Sequence, residues 1–309
     1  MTTTQINYIN IFLMIVSAAI AFALPFELFL FSYAVLGPLH YLTEISWLHD
    51  RKYFSTGKFD YLWLCLPAIP ATAAFIYNIK FSFDWITLLI WVAFGSAFGM
   101  ALFKRTMHKV ILTATLVLCG LLLSNFRPYA ILVTIFLPTI IHVFVFTGAF
   151  ILYGALKSKS NSGYASFIVF LLCGFIFFIY PVSADGYIIN EYIERSIKPF
   201  MNVNKKLSAV LGVNQDWNGT VIVMRFIAYA YTYHYLNWFS KTNVIRWHQI
   251  SYSRMAAILI AWTISLVIYA IDYRLGYITL FFLSLLHVLL EFPLNHQSFV
   301  GIWGMLKKR

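Results

Sequence analysis

The order of apolar and polar positions divides this chain into long hydrophobic runs separated by short charged breaks. A membrane-spanning helix needs about 20 apolar residues. Ten runs approach that length: 8–23, 26–48, 61–79, 84–103, 109–125, 129–153, 164–182, 220–240, 254–271 and 275–292. Proline disrupts a helix interior, so Pro25 separates the first run from the second. One kinked helix plus a half-span is the alternative there, which sets the expected range at eight to ten spans. The expected fold is all-α, a polytopic transmembrane helix bundle formed by residues 1–309 as a single membrane domain. The longest polar stretch, Ser183 to Gly219, carries Tyr192, Ile193, Ile197, Phe200 and Met201 at near-helical spacing among charges. That pattern fits an amphipathic helix lying on the membrane or capping the bundle, or else an irregular loop.

Composition agrees with the pattern. Of 309 residues, 61% are hydrophobic and 11% charged, against about 25% charged in an average soluble domain. Met1 to Tyr8 lacks the positive region and cleavage site of a signal peptide, so the first run reads as a retained helix. Cys65, Cys119 and Cys173 sit in apolar runs without a C-x-x-C pair and read as small buried hydrophobes. The formal charge of +11 would suggest nucleic acid in a soluble protein. Here the basic residues lie between apolar runs, where they set orientation and meet lipid head groups. No basic stripe with stacking aromatics occurs in a water-soluble segment, which excludes nucleic acid and leaves the bilayer as the partner.

Orientation follows from Lys and Arg. With ten spans, fourteen of the 22 fall on the side that holds both termini. The others are Lys80, Arg127, Arg195, Lys198, Lys205, Lys206, Arg225 and Arg274, mostly in or beside the long 183–219 loop. The positive-inside rule then makes both termini cytoplasmic and that loop extracytoplasmic. All eight histidines fall in the cytoplasmic half of this arrangement, although none of them entered the orientation.

Two segments share the pattern H-x3-E-x4-H: His40, Glu44 and His49, and His287, Glu291 and His296. Residues i and i+4 share a helix face, so each segment offers a nitrogen and a carboxylate in one direction. His49 lies about 180° around the helix from His40 at about 3.6 residues per turn, and joins a site only if the helix ends or bends. Pro293 is expected to supply such an end before His296. His142 lies deep in the sixth run, His234 in the last turns of the eighth, and His248 in the short loop after it. His108, at the start of the fifth, reads as a snorkelling interfacial group. Ionisable groups inside a membrane usually face a bundle interior or a cavity. Hydrogen bonding between the paired groups is the bland account of them, and a metal ion the sharper one. Mixed imidazole and carboxylate ligands favour iron, manganese or zinc. Six or more ligands exceed one tetrahedral zinc, and bundles build two-metal sites from Glu and His on facing helices. Tyr233, Tyr235 and Tyr41 are near enough in sequence to serve as hydrogen-bond donors beside the ligands or in catalysis. The chain has no H-E-x-x-H, G-x-S-x-G or P-loop, and no H-x-x-H-H or H-x-x-x-H box.

Gly37-Pro38-Leu39-His40 with Glu44, then His142, His234, and His287 with Glu291, resemble the motifs of the bacterial β-carotene dioxygenase (Brp/Blh) family. In that family Asp stands where this chain has Glu. The resemblance implies a multi-His non-haem iron membrane enzyme with His40, His142, His234 and His287 as ligands. It also implies cleavage of a polyene with O2. The expected location is a bacterial inner membrane, with the metal site toward the cytoplasmic side by the orientation above. The first expectation is an oxygenase or oxidase using one or two iron ions and O2 on a lipid-soluble substrate. A haem-binding electron carrier with His142 and His234 as axial ligands, a divalent-metal transporter and a zinc site are the alternatives.

Overall fold

The computed structural model describes residues 2–77, 79, 84–181, 183–184 and 186–307. Lys80, Lys308 and Arg309, used above for orientation, lie outside the described residues. Every regular element among the described residues is helical. The long helices are α1 (Thr3–Ala23), α2 (Pro25–Asp50), α3 (Asp60–Tyr77), α4 (Trp85–Leu102), α5 (Thr106–Leu123), α6 (Arg127–Ser158) and α7 (Asn161–Ile179). Two short helices follow, α8 (Glu191–Ile197) and α9 (Met201–Leu211), then α10 (Trp217–Ser240). Next come α11 (Tyr252–Ile271) and α12 (Tyr273–Leu306). Nine of these, all but α8, α9 and α10, are long and apolar enough to cross a membrane. The chain is an integral membrane protein. Helix α10 has 24 residues, enough length to span, but its Asn, Thr, Tyr and His side chains lower its hydropathy.

Local chemistry sets the boundaries. Thr2 and Gln5 form a reciprocal capping box at the start of α1. Asp84, Ser160, Asn190, Asp216 and Ser251 cap α4, α7, α8, α10 and α11 through their side chains. Pro25 stands at the first position of α2, where its missing N–H costs nothing. The break expected there is real. Gly212 ends α9 at φ +66°, a conformation glycine adopts without strain. The 183–219 stretch is therefore largely helical, with Ile193, Ile197 and Leu207 buried and Tyr192 exposed.

The chain divides into two compact units, Met1–His40 with Phe150–Tyr277, and Tyr41–Ala149 with Ile278–Arg309. In the first, α10 is the central helix and packs on α1, α2, α7 and α9. Polar groups join these helices, as expected where apolar contact alone gives little preference over lipid. Asn7 Nδ2 donates to Ser162 Oγ at 3.0 Å, and Tyr233 donates to Asn10 Oδ1 at 2.9 Å. The buried Arg225 donates from Nε to the Phe22 carbonyl at 3.2 Å and lies over the Phe22 ring. Tyr187, between α7 and α8, donates to Glu27 at 2.6 Å. Burial, then that bond to the carboxylate, raises its hydroxyl above the ordinary phenol range.

In the second unit, α4 packs on α5 through small residues. A β-carbon on Gly120 would stand 2.5 Å from Leu88 Cδ1, and one on Gly95 2.6 Å from Leu116 Cδ2. Asp60 and Lys109 pair at 2.5 Å. After α2 the chain makes a left-handed turn, with φ of 52°, 53° and 53° at Lys52, Tyr53 and Phe54. Gln297 Nε2 holds it by donating to the Phe54 carbonyl at 2.9 Å.

Pro293 does not end α12. The helix continues through it to Leu306, which corrects the expected stop. Membrane helices tolerate an internal proline because neighbouring groups satisfy the freed backbone.

Candidate metal centre

Four helices carry the relevant histidines, and two depart from α geometry just before them. Helix α2 opens into a π-helical turn over Ser32–Leu36, four residues before His40. Helix α6 is π-helical over Leu132–Phe146, a stretch of 15 residues that contains His142 and Pro138. Such wide turns recur at functional sites, and they free carbonyls that need other donors. Trp262 Nε1 donates to the Val35 carbonyl at 2.8 Å, and the Tyr273 hydroxyl to that of Leu30 at 3.1 Å.

Within the first unit, His40 and His234 meet Nε2 to Nε2 at 3.1 Å. Tyr235 and Trp238 rings pack on His40 with centroids at 5.1 and 5.5 Å. Within the second unit, His142 and His287 meet Nε2 to Nε2 at 3.2 Å. The Tyr41 ring stacks on His287 at 4.3 Å.

The other ring nitrogens of the second pair face acceptors. His142 Nδ1 lies 3.0 Å from Glu291 Oε2. His287 Nδ1 lies 3.4 Å from the Leu283 carbonyl. In the tautomer that carries the proton at Nδ1 in both rings, the Nε2 lone pairs turn toward each other. Two lone pairs 3.2 Å apart repel unless a cation or a proton lies between them. Imidazole nitrogens about 2.0–2.1 Å from one metal ion stand about 3 Å apart at right angles and about 3.4 Å apart in a tetrahedron. Both pairs have this spacing.

His40, His142, His234 and His287 are all buried, and their ligand nitrogens lie within 4.8 Å of one another. This cluster could hold a metal ion.

The carboxylates stand behind the imidazoles. Glu291 shares a face with His287 by spacing, yet its carboxylate reaches His142. Glu44 meets Glu291 side chain to side chain, and both are buried. Asn295 Nδ2 donates to Glu291 Oε2 at 3.4 Å. Asn295 was not foreseen from the sequence. The signal was the extension of H-x3-E by a further x3-N, which keeps Asn295 on the Glu291 side of α12.

The remaining candidates are not part of the four-histidine group. His49 Nδ1 pairs with the Tyr53 hydroxyl at 3.1 Å, and His296 Nε2 with the Phe94 carbonyl at 2.7 Å. His248 lies in the turn after α10, its ring against Trp247. Tyr233 is held by Asn10, whereas Tyr235 touches both His40 and His234. His108 packs on Phe103. Compared with family models, curated proteins and solved structures, the chain has no match.

Proposed function

We propose that the four imidazoles bind one iron ion, and that the protein is a membrane-embedded oxidoreductase acting with O2 on a lipid-soluble substrate. The observation that carries this reading is the pair His142 and His287, with Nε2 atoms 3.2 Å apart and Nδ1 atoms turned to acceptors. A carboxylate behind a ligating imidazole fixes its orientation and raises its basicity, the part assigned to Glu291. Four neutral ligands leave the charge of a divalent ion unbalanced in a low-dielectric interior. The Glu291 carboxylate, beside His142, offsets part of it.

The choice of metal rests on coordination number. Four histidines close a tetrahedral zinc site and leave no position for a substrate. The same four leave two positions open on a six-coordinate ion. Iron there would supply O2 binding and one-electron chemistry. A haem takes two axial nitrogens and occupies the equatorial positions itself, so four converging imidazoles favour non-haem iron over haem. Burial inside apolar helices favours a lipid-soluble substrate and keeps bulk water from the site. The resemblance to the β-carotene dioxygenase motifs makes a polyene the first substrate to try. Both termini and the site are assigned to the cytoplasmic side.

Metal analysis and an optical spectrum of the detergent-purified protein test the reading. One iron per chain without a Soret band, lost in His142→Ala and His287→Ala, is the expected result. Stoichiometric zinc would make the site structural or hydrolytic. Absence of any metal after reconstitution would overturn the proposal.

A further inference from the structure

The segment Tyr229-Ala-Tyr-Thr-Tyr-His-Tyr235 of α10 places tyrosines at every second position around His234. On a helix this makes two ladders at i, i+4 spacing, Tyr229 with Tyr233 and Tyr231 with Tyr235. They differ in what they touch. Tyr229 donates to the Phe170 carbonyl at 3.1 Å and Tyr233 to Asn10 at 2.9 Å, so their hydroxyls join α10 to its neighbours. The second ladder begins at the imidazoles. Tyr235 lies 5.1 Å from His40 and 5.4 Å from His234, ring centre to ring centre.

From there the rings continue without a gap. Tyr235 to Tyr231 is 6.2 Å, Tyr231 to Tyr33 is 6.0 Å, and Tyr33 to Tyr277 is 5.9 Å. Tyr235 and Tyr33 are buried, while Tyr231 and Tyr277 are partly accessible. A buried phenol costs more than a buried phenyl ring, because its hydroxyl must be satisfied. Phe29 and Phe200 pack among the same rings, 5.2 Å from Tyr231 and 5.0 Å from Tyr33. Of these rings only the tyrosines suit one-electron chemistry, since a phenol gives up an electron and a proton together whereas a phenyl ring resists oxidation.

We propose that Tyr235, Tyr231, Tyr33 and Tyr277 form an electron path between the imidazole cluster and the periphery of the first unit. The proposal rests on the reading of the cluster as a redox-active iron site. With iron bound at the cluster and oxidised by O2 or peroxide, Tyr235 would supply the missing electron. That phenol releases its proton to an oxygen acceptor and becomes a neutral phenoxyl radical. Tyr235 recovers an electron from Tyr231 and a proton from its surroundings, and the same exchange repeats through Tyr33 to Tyr277. At Tyr277 a water-soluble one-electron reductant such as ascorbate gives a hydrogen atom, restoring the phenol and leaving the ascorbyl radical. The net reaction moves one electron inward and consumes one reducing equivalent. It protects a site that has activated oxygen with no substrate bound.

The test uses the full-length protein loaded with ferrous iron alone, treated with hydrogen peroxide and a nitroso spin trap. Iron content, the radical signal and the trapped residue are read in the same sample. A tyrosyl signal with the adduct at Tyr277 is expected. In Tyr235→Phe the adduct at Tyr277 should be lost with iron content unchanged, and in Tyr277→Phe it should move inward to Tyr33 or Tyr231. Tyr229→Phe and Tyr233→Phe should leave it in place. Iron-loaded protein that gives no tyrosyl signal, or an adduct indifferent to Tyr235→Phe, would overturn the path alone. Protein that takes up no iron would overturn both the path and the metal reading.

Discussion

The two histidine pairs have nearly the same spacing and different surroundings. Around His142 and His287 stand a carboxylate, an amide and a backbone carbonyl, with Glu44 beside Glu291. Around His40 stand the rings of Tyr235 and Trp238. One pair is set by charge and hydrogen bonding, the other by ring packing. The contrast separates two tasks that a metal site needs, control of ligand basicity and control of ligand position.

The sharpest way to break the comparison is to remove a ligand from either pair. Replacing His40, His142, His234 or His287 with Ala should abolish stoichiometric metal binding in each case, read by elemental analysis. Full retention in variants of one pair would mean that the pairs do not share an ion. The next effect should appear only on the charged side. Glu291→Gln should weaken metal affinity about 10- to 100-fold, measured by chelator competition. Trp238→Phe, on the packed side, should change affinity far less than that. Equal losses in the two variants would erase the distinction drawn here.

Away from the pairs, Gly120→Leu drives a side chain into Leu88, whose Cδ1 already lies 2.5 Å from the added β-carbon. Overpacking of this kind costs about 1–3 kcal/mol. It should lower the thermal midpoint in detergent without changing the metal content of the folded fraction. The smallest effect should be that of Gln297→Leu, which removes the bond to the Phe54 carbonyl, worth about 0.5–1.5 kcal/mol. Faster proteolysis within 51–58, at unchanged metal affinity, would confirm that the turn is held from α12.

The four clustered histidines were legible because membrane interiors make polar residues rare. His142 and the paired His/Glu segments stand out in runs that are otherwise apolar. The arrangement of side chains within the cluster was less legible. Spacing put Glu291 beside His287, but His142, within the π-helical stretch of α6, meets it instead, and no 3.6-residue periodicity reports a π turn. His49 and His296 repeat the pattern faithfully and still pair with Tyr53 and Phe94. A hydrogen bond to a nearby oxygen satisfies an imidazole as a metal does, and sequence alone does not weigh the two. Pro293 misled for a related reason, since a rule learned from water-exposed helices loses force inside a membrane. Helix α10 was legible as a long element by its length, while its polarity, which keeps it outside the nine most apolar helices, is what brings His234 and the tyrosines to the cluster.

His142 and His287 are 145 residues apart in sequence, and that separation has a consequence in time. Chains are made at about 5–20 residues per second, so His142 enters the bilayer on the order of ten seconds before α12 exists. Throughout that interval, α6 must persist with a buried imidazole and a wide π turn that its mature neighbours have yet to support. On the proposed metal reading, biogenesis has a fixed order, with helices first and the ion only after the last helix is inserted. Cells starved of the ion should therefore accumulate a complete, membrane-inserted apoprotein rather than a truncated or untranslocated one.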